Sequence, residues 1–198
     1  MKFVQRLVIA LIIFACSMPG RSIAGNGLEK AIVAGGCFWC VESDFEKISG
    51  IKGAISGYTG GTGKSPTYDD YAQKGHIEAV EITYDASVIS YEKILDIFWV
   101  HVDPTDANGQ FCDRGYEYST GIFYTTDEQK KLATRSKEQL EKSGRLKKPV
   151  VTNIFKSGTF YPAEEYHQDY YKKKPIRYKL YRLGCGRDRK LESIWGER

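Results

Sequence analysis

The chain is poor in cysteine, has no long hydrophobic run, and carries almost no surplus charge once its first residues are set aside. Five cysteines in 198 residues are too few for a fold built on disulfides. They come with no second compact pair of ligands of the kind a zinc site needs. The apolar run at residues 7–16 is too short to span a bilayer comfortably. Basic side chains exceed acidic ones, 29 against 25. Lys2, Arg6 and Arg21 lie in the first 24 residues, which hold no acid. The rest carries 26 against 25, a net of +1, which argues against nucleic-acid binding. After residue 27 no repeat, low-complexity tract or long linker appears. What remains is one domain by length, with the apolar and charged fractions of a soluble globular protein, 41% and 27%. Twenty glycines and fourteen tyrosines suggest many turns and a polar-aromatic site.

Residues 1–24 read as a secretory signal, and residues 25–198 as the folded domain. Lys2 and Arg6 precede the apolar run, Pro19-Gly20 break it, and Ser22-Ile23-Ala24 offers a cleavage point after Ala24. The compartment expected is the periplasm. A buried N-terminal helix is one alternative. A lipoprotein acylated on Cys16 is another, opposed by bulky Phe14 where a small residue is usual.

Residues 31–34 read as a strand feeding the Gly35-Gly36 turn. Phe38, Val41, Phe45 and Ile48 follow at helical spacing. Residues 51–58 read as a strand and 57–66 as a glycine-rich loop. Glu78, Val80, Ile82 and Tyr84 alternate as a strand does over 77–84. Ser90 caps a helix carrying Tyr91, Ile94, Leu95 and Phe98 on one face, ended by Asp103-Pro104. A polar loop spans 105–118 and a strand 120–124. Thr126 and Gln129 form a capping box for a helix to about residue 143. A strand at 150–155, a short helix at 163–172 and an irregular basic tail complete an α+β domain. The tail, from Lys172 to Lys190, reads as a solvated surface.

Cys37 is the sharpest chemical feature. It sits where a strand, a glycine turn and a helix meet. The free N–H groups and positive end of the helix favour its thiolate. Cys40 completes Cys37-Phe38-Trp39-Cys40, a C-x-x-C that fits a thioredoxin-like disulfide oxidoreductase or half of a metal site. Phe38 and Trp39 can cage a methyl or thioether group. Glu78 shares a strand face with apolar residues, which would desolvate it and keep its proton. Tyr68 and Tyr118 offer O–H donors, and Asp113 an acceptor. His76 and His167 could pair with a cysteine as in a hydrolase, but hydrogen-bonding roles fit both better. Cys112, beside Asp113, reads as a packing cysteine.

Gly36-Cys37-Phe38-Trp39 resembles the active-site signature of the A-type peptide methionine sulfoxide reductases. Gly57-Tyr58-Thr59-Gly60-Gly61, Ser65-Pro66-Thr67-Tyr68 and Gly75-His76-Ile77-Glu78 resemble further segments of that family. So do Gly109-Gln110-Phe111 with Asp113-Arg114-Gly115, Phe160-Tyr161-Pro162-Ala163-Glu164, and His167-Gln168. The likeness runs in order through residues 30–195. It implies a single α+β domain with a ferredoxin-like mixed-sheet core. It implies reduction of the S epimer of methionine sulfoxide, free or protein-bound, with Cys37 as nucleophile. On the same likeness Glu78 would be the acid, Tyr68 and Tyr118 would bind the sulfoxide oxygen, and Asp113 would support the site.

Such a reaction leaves Cys37 as a sulfenic acid that condenses with a second thiol. Cys40 is close in sequence, and stands where the family more often has glycine. Cys185 lies in Gly184-Cys185-Gly186, and the family's C-terminal resolving cysteines favour it. Both candidates stand. The expected protein binds no cofactor or metal and has no membrane span in its mature form. It works as a monomer on oxidised proteins or free methionine sulfoxide. It draws electrons from an external thiol such as thioredoxin or a thioredoxin-like protein.

Overall fold

The computed structural model describes residues 27–196. The proposed leader, its cleavage point and Cys16 lie outside them. Strand β1 (Leu28–Gly35) leads through Gly36 into α1 (Phe38–Phe45). Strands β2 (Ile51–Thr59) and β3 (Ile77–Asp85) follow, then α2 (Tyr91–Val100). A two-stranded hairpin, β4 (Gly109–Gln110) and β5 (Asp113–Arg114), and a 3-10 turn at Tyr116–Tyr118 fill the stretch expected to be a loop. Strand β6 (Thr120–Tyr124), helix α3 (Asp127–Lys142) and strands β7 (Asn153–Lys156) and β8 (Tyr161–Pro162) come next. Helices α4 (Tyr170–Lys173), α5 (Pro175–Cys185) and α6 (Arg187–Trp195) end the chain.

The main sheet has the order β7-β6-β1-β3-β2-β8. Its four central strands pair antiparallel, β6 with β1, β1 with β3 and β3 with β2. With α1 and α2 as crossovers, this is the split β-α-β arrangement of a ferredoxin-like fold. The parallel β6–β7 pair makes the sheet mixed. Strand alternation divides the core. Ala31, Val33, Val80 and Ile82 face α1 and α2, packing on Phe38, Val41, Phe45, Leu95 and Phe98. Ile32, Ala34, Ile77, Ala79 and Phe123 face the other side, under Phe155 and Phe160. Each fully buried side chain of this size contributes about 2 kcal/mol.

The expected caps form. Ser90 accepts from the Lys93 amide at 3.2 Å, and Thr126 from the Gln129 amide at 3.1 Å. The Gln129 side chain reaches one residue further back than a capping box requires, to the Thr125 amide at 2.9 Å.

Three expectations fail after residue 160. The helix read at 163–172 is only α4, because the preceding turn is pinned from outside. Gln168 pairs with the β2 backbone like a strand residue, accepting from Ser56 N at 3.0 Å and donating to Ser56 O at 2.9 Å. The Asp169 amide donates to buried Glu42 at 2.6 Å. The tail is also not irregular. Pro175 opens α5, and Gly186 in the left-handed conformation (φ 70°) separates it from α6. Nor is the tail solvated throughout. Arg182 binds Asp44 at 2.8 Å. Arg187, 1% exposed, donates to the carbonyls of Gly35 at 3.0 Å and His101 at 2.8 Å. These ions dock the tail beneath α1, where no local pattern announces them.

Candidate active site

The junction expected at Cys37 is built by close packing. Gly36 adopts φ 77°, a region open chiefly to glycine. A Cβ there would stand 2.5 Å from the Gln110 Cβ. Gln110 cannot yield easily, because its amide both accepts from Asp103 N and donates to Asp103 O, each at 2.8 Å. Cys37 therefore occupies the N-cap of α1, with its carbonyl accepting from Cys40 N and Val41 N.

Five expected catalytic side chains, Cys37, Tyr68, Glu78, Asp113 and Tyr118, line one cleft of about 280 Å³ together with Phe38 and Trp39. They come from β3, the β4–β5 hairpin, the 3-10 turn, the head of α1 and the loop after β2. Glu78 Oε2 accepts from Phe38 N at 2.9 Å, and Oε1 from the Tyr71 hydroxyl at 3.2 Å. Burial raises its pKa from the ordinary 4.5 to about 8, against the pull of those two bonds. The carboxyl keeps its proton at neutral pH, as its strand face led us to expect. Burial also raises Asp113. It pushes Tyr118 up to about 12 and raises Tyr68 and Tyr71, so these phenols stay O–H donors.

Cys37 departs from expectation. The helix end favours a thiolate, but the side chain is 5% exposed. Burial raises its pKa well above the usual thiol value. The hydrogen bond with Cys40, the Cys40 charge and the Glu78 charge raise it further. The Phe38 amide at that helix end is taken by Glu78 rather than by sulfur. In the cleft as it stands the proton rests on Cys37. Cys40 is the more acidic partner, lowered by the hydrogen bond from Cys37 and then by Arg187 and Arg182.

Trp39 is fixed by its neighbours. Its indole donates to His167 Nδ1 at 3.1 Å, and its ring stacks on Tyr170 at 3.8 Å. Both histidines are engaged apart from Cys37. His76 closes the glycine-rich loop, with Nε2 on the Gly63 carbonyl at 2.6 Å and Nδ1 accepting from Gly61 N.

Sequence reasoning missed Tyr181 and Tyr71. Tyr181 lines the cleft, donates to Asp113 at 2.7 Å, and favours the ionised form of Cys37 by hydrogen bonding. The spacing of Tyr178, Tyr181, Arg182 and Cys185 was a usable helical signal. Cys112 was also misread. It is exposed and disulfide-bonded to Cys185, since the β4–β5 hairpin brings it to the end of α5. Cys37 and Cys40 are both free and buried. The two candidate resolving cysteines thus stand differently, Cys40 against the Cys37 thiol and Cys185 in a pair beside Asp113, at 3.9 Å.

Comparison with known proteins gives the chain a family. The family described as peptide methionine sulfoxide reductase matches residues 29–198. Peptide methionine sulfoxide reductase MsrA of Bacillus licheniformis is 52% identical over 172 residues, which are 86% of this chain and 95% of that one. Mxr1 of Saccharomyces cerevisiae in reduced form superposes with a TM-score of 0.67 at 31% identity, over 75% of this chain and 86% of that one. Mxr1 has also been crystallised in complex with Trx2. Methionine sulfoxide reductase A of Corynebacterium diphtheriae gives a TM-score of 0.65 at 25% identity, over 77% of each chain. These likenesses do not favour a thioredoxin-like exchanger built on Cys37 and Cys40. The chain belongs to the A-type peptide methionine sulfoxide reductases, oxidoreductases that return methionine sulfoxide to methionine.

Proposed function

We propose that this reductase acts on the S epimer of methionine sulfoxide, free or within polypeptides, with Cys37 as nucleophile and Glu78 as acid. The carrying observation is the meeting of a thiol, a protonated carboxyl and tyrosine hydroxyls in one cleft walled by Phe38 and Trp39. The aromatic walls take the S-methyl end of the side chain. Tyr68 and Tyr118 hydrogen-bond the sulfoxide oxygen. Glu78 protonates that oxygen as Cys37 sulfur attacks the sulfoxide sulfur, and Glu78 recovers its proton from the Cys37 thiol. The hydroxyl so formed passes from the substrate sulfur to the Cys37 sulfur as the sulfoxide S–O bond and the new Cys37–substrate S–S bond break, leaving methionine and a Cys37 sulfenic acid. The methionine sulfur gains the two electrons that Cys37 loses.

Cys40 then attacks the sulfenic sulfur, water leaves, and a Cys37–Cys40 disulfide forms. Its contact with Cys37 and its lowered pKa support this order. Thiol–disulfide exchange passes the oxidation outward, so that Cys37 and Cys40 regain their thiols and Cys112–Cys185 becomes the disulfide. A protein dithiol of the thioredoxin kind reduces that pair, whose Cys112 is exposed. Free Cys37 and Cys40 beside a closed Cys112–Cys185 bond fit the state after this transfer. The enzyme works as a monomer without bound cofactor.

The test is reduction of separate R and S sulfoxide substrates by wild type and Cys37→Ser. We expect turnover of the S epimer by wild type only. Full activity in Cys37→Ser, or equal use of both epimers, overturns the reading. We also propose export to the periplasm. This is supported by the order of residues 1–24 and by a family match that begins downstream of them, at residue 29. The mass of the protein isolated from cell fractions tests it. Cleavage after Ala24 is expected, a lipid on Cys16 would make the protein an anchored one, and an uncut cytoplasmic chain would refute export.

A further inference from the structure

The sulfoxide cleft opens beside a larger groove of about 770 Å³, with which it shares Trp39, Tyr68 and Tyr181. A methionine side chain needs only the smaller space. The part of the larger that a water-sized sphere can fill, about 400 Å³, lies in the range of ligand sites, roughly 300–1,000 Å³. Its floor is a run of touching rings. Tyr166 meets His167 at 4.2 Å, His167 meets Trp39 at 5.6 Å, and Trp39 meets Tyr181 edge-on at 5.8 Å. Tyr166 is 60% exposed, so its ring is open to a ligand, and tyrosine is a residue type enriched at interfaces.

Charge gives the groove a direction. Among the described residues Arg177 is its one charged lining residue. It sits on α5 one helical turn before Tyr181, about 6 Å along the axis. No carboxylate among the described residues pairs with it, whereas neighbouring Lys172 and Lys173 are held by Glu46, Asp169 and Glu165. Around Tyr166 the charge is acidic, from Glu164 and Asp69. Glu164 is itself occupied by the Tyr58 hydroxyl and the Tyr68 amide.

We propose that this groove is a polypeptide subsite. It seats the residues flanking an oxidised methionine and, through Arg177, favours a substrate with a carboxylate side chain on one side of the sulfoxide. The inference rests on the methionine sulfoxide reductase reading and adds a preference among protein substrates. The backbone of the substrate crosses the ring floor while the sulfoxide enters the cleft between Trp39 and Tyr68. An acidic neighbour reaches Arg177. The same residue on the other side meets Glu164 and Asp69 and is disfavoured. Arg177 touches no reacting atom and acts only on affinity, so its effect appears in KM.

The experiment uses the full chain with a glycine-flanked methionine sulfoxide peptide, and versions carrying Glu or Lys on either side. Free methionine sulfoxide is the reference. We expect Glu at one of the two flanks to exceed Lys there by about threefold in kcat/KM at low salt, the scale of an exposed ion pair. Added salt shrinks the gap. Arg177→Glu inverts the order. Tyr166→Ala raises KM for every peptide, and the ratio of peptide to free amino acid falls. An unchanged flank preference in Arg177→Glu overturns the proposal. So does a loss on free methionine sulfoxide equal to that on peptides, since Arg177 would then serve the amino acid's own carboxylate. Failure of wild type to reduce any sulfoxide would sink the parent reading, a different result.

Discussion

The Glu78 carboxyl accepts the Phe38 amide at 2.9 Å, and this bond ties the acid to the same helix end that carries the Cys37 thiol. Helix starts favour anions through their unpaired N–H groups. Here the Phe38 N–H steadies a carboxyl that burial keeps protonated. The donor and the nucleophile are thus held together on one backbone turn, each in its neutral form.

A pH dependence follows for the first chemical step. Glu78 must carry a proton, and its pKa lies at about 8. The acid form is full well below that value and is lost as pH rises through it. Single-turnover reduction by wild type should therefore decline above about pH 8. Glu78→Gln keeps the shape and loses the proton. We expect at least a hundredfold slower step, the usual worth of a general acid, and no decline in that range. A wild-type rate that keeps climbing through pH 8 would contradict the assignment.

Tyr181 should act through Cys37. Its hydroxyl lowers the Cys37 pKa and holds Asp113 at 2.7 Å. Tyr181→Phe removes that donor and leaves the ring. Alkylation of Cys37, followed against pH, should move to higher pH, and sulfoxide reduction should slow with it. An unmoved alkylation profile would assign Tyr181 to packing alone.

The order of thiols can be read by mass spectrometry after a single turnover. Wild type with all four cysteines reduced should pass through Cys37–Cys40 to Cys112–Cys185. Cys40→Ser should stop as a sulfenic acid on Cys37. Cys185→Ser should stop as Cys37–Cys40, keep its first turnover, and lose recycling by a protein dithiol. Full recycling in Cys185→Ser would leave Cys40 as the whole resolving system.

Glu42 offers a stability test away from the chemistry. It is buried, accepts from the Ser56 hydroxyl and the Asp169 amide, and burial raises its pKa to about 7. The folded state therefore holds a proton that the unfolded chain releases near pH 4.5. Linkage then makes wild type lose stability relative to Glu42→Gln as pH climbs from about 4.5 to about 7, with no further change above. Urea midpoints of the two proteins across that range check the sign. Parallel curves would mean Glu42 is ionised in the fold.

Much of this was legible in near-neighbour pattern. Alternation along Glu78, Val80, Ile82 and Tyr84 marks a strand with one apolar face, and that face is why Glu78 is buried and protonated. Spacing of Phe38, Val41 and Phe45 after two glycines puts Cys37 at a helix start. Ser90 and Thr126 announce their helices because a cap acts within three residues.

Other features arise between segments far apart in the chain, and period alone does not carry them. Cys112 and Cys185 are 73 residues apart. Their pairing depends on a hairpin meeting the end of a helix. Helix α5 is turned against the usual rule. Ile176, Leu180 and Leu183 are 77%, 67% and 58% exposed, while Tyr178, Tyr181 and Arg182 face inward. The arginine goes inside because Asp44 waits there, at 2.8 Å, and a buried charge is tolerable only when paired. The ionisation of Cys37 belongs with these. Its place at the helix start is a local property. Its proton is retained because strands, tail and hairpin close over it and remove water, and that exclusion exists only once the chain has folded.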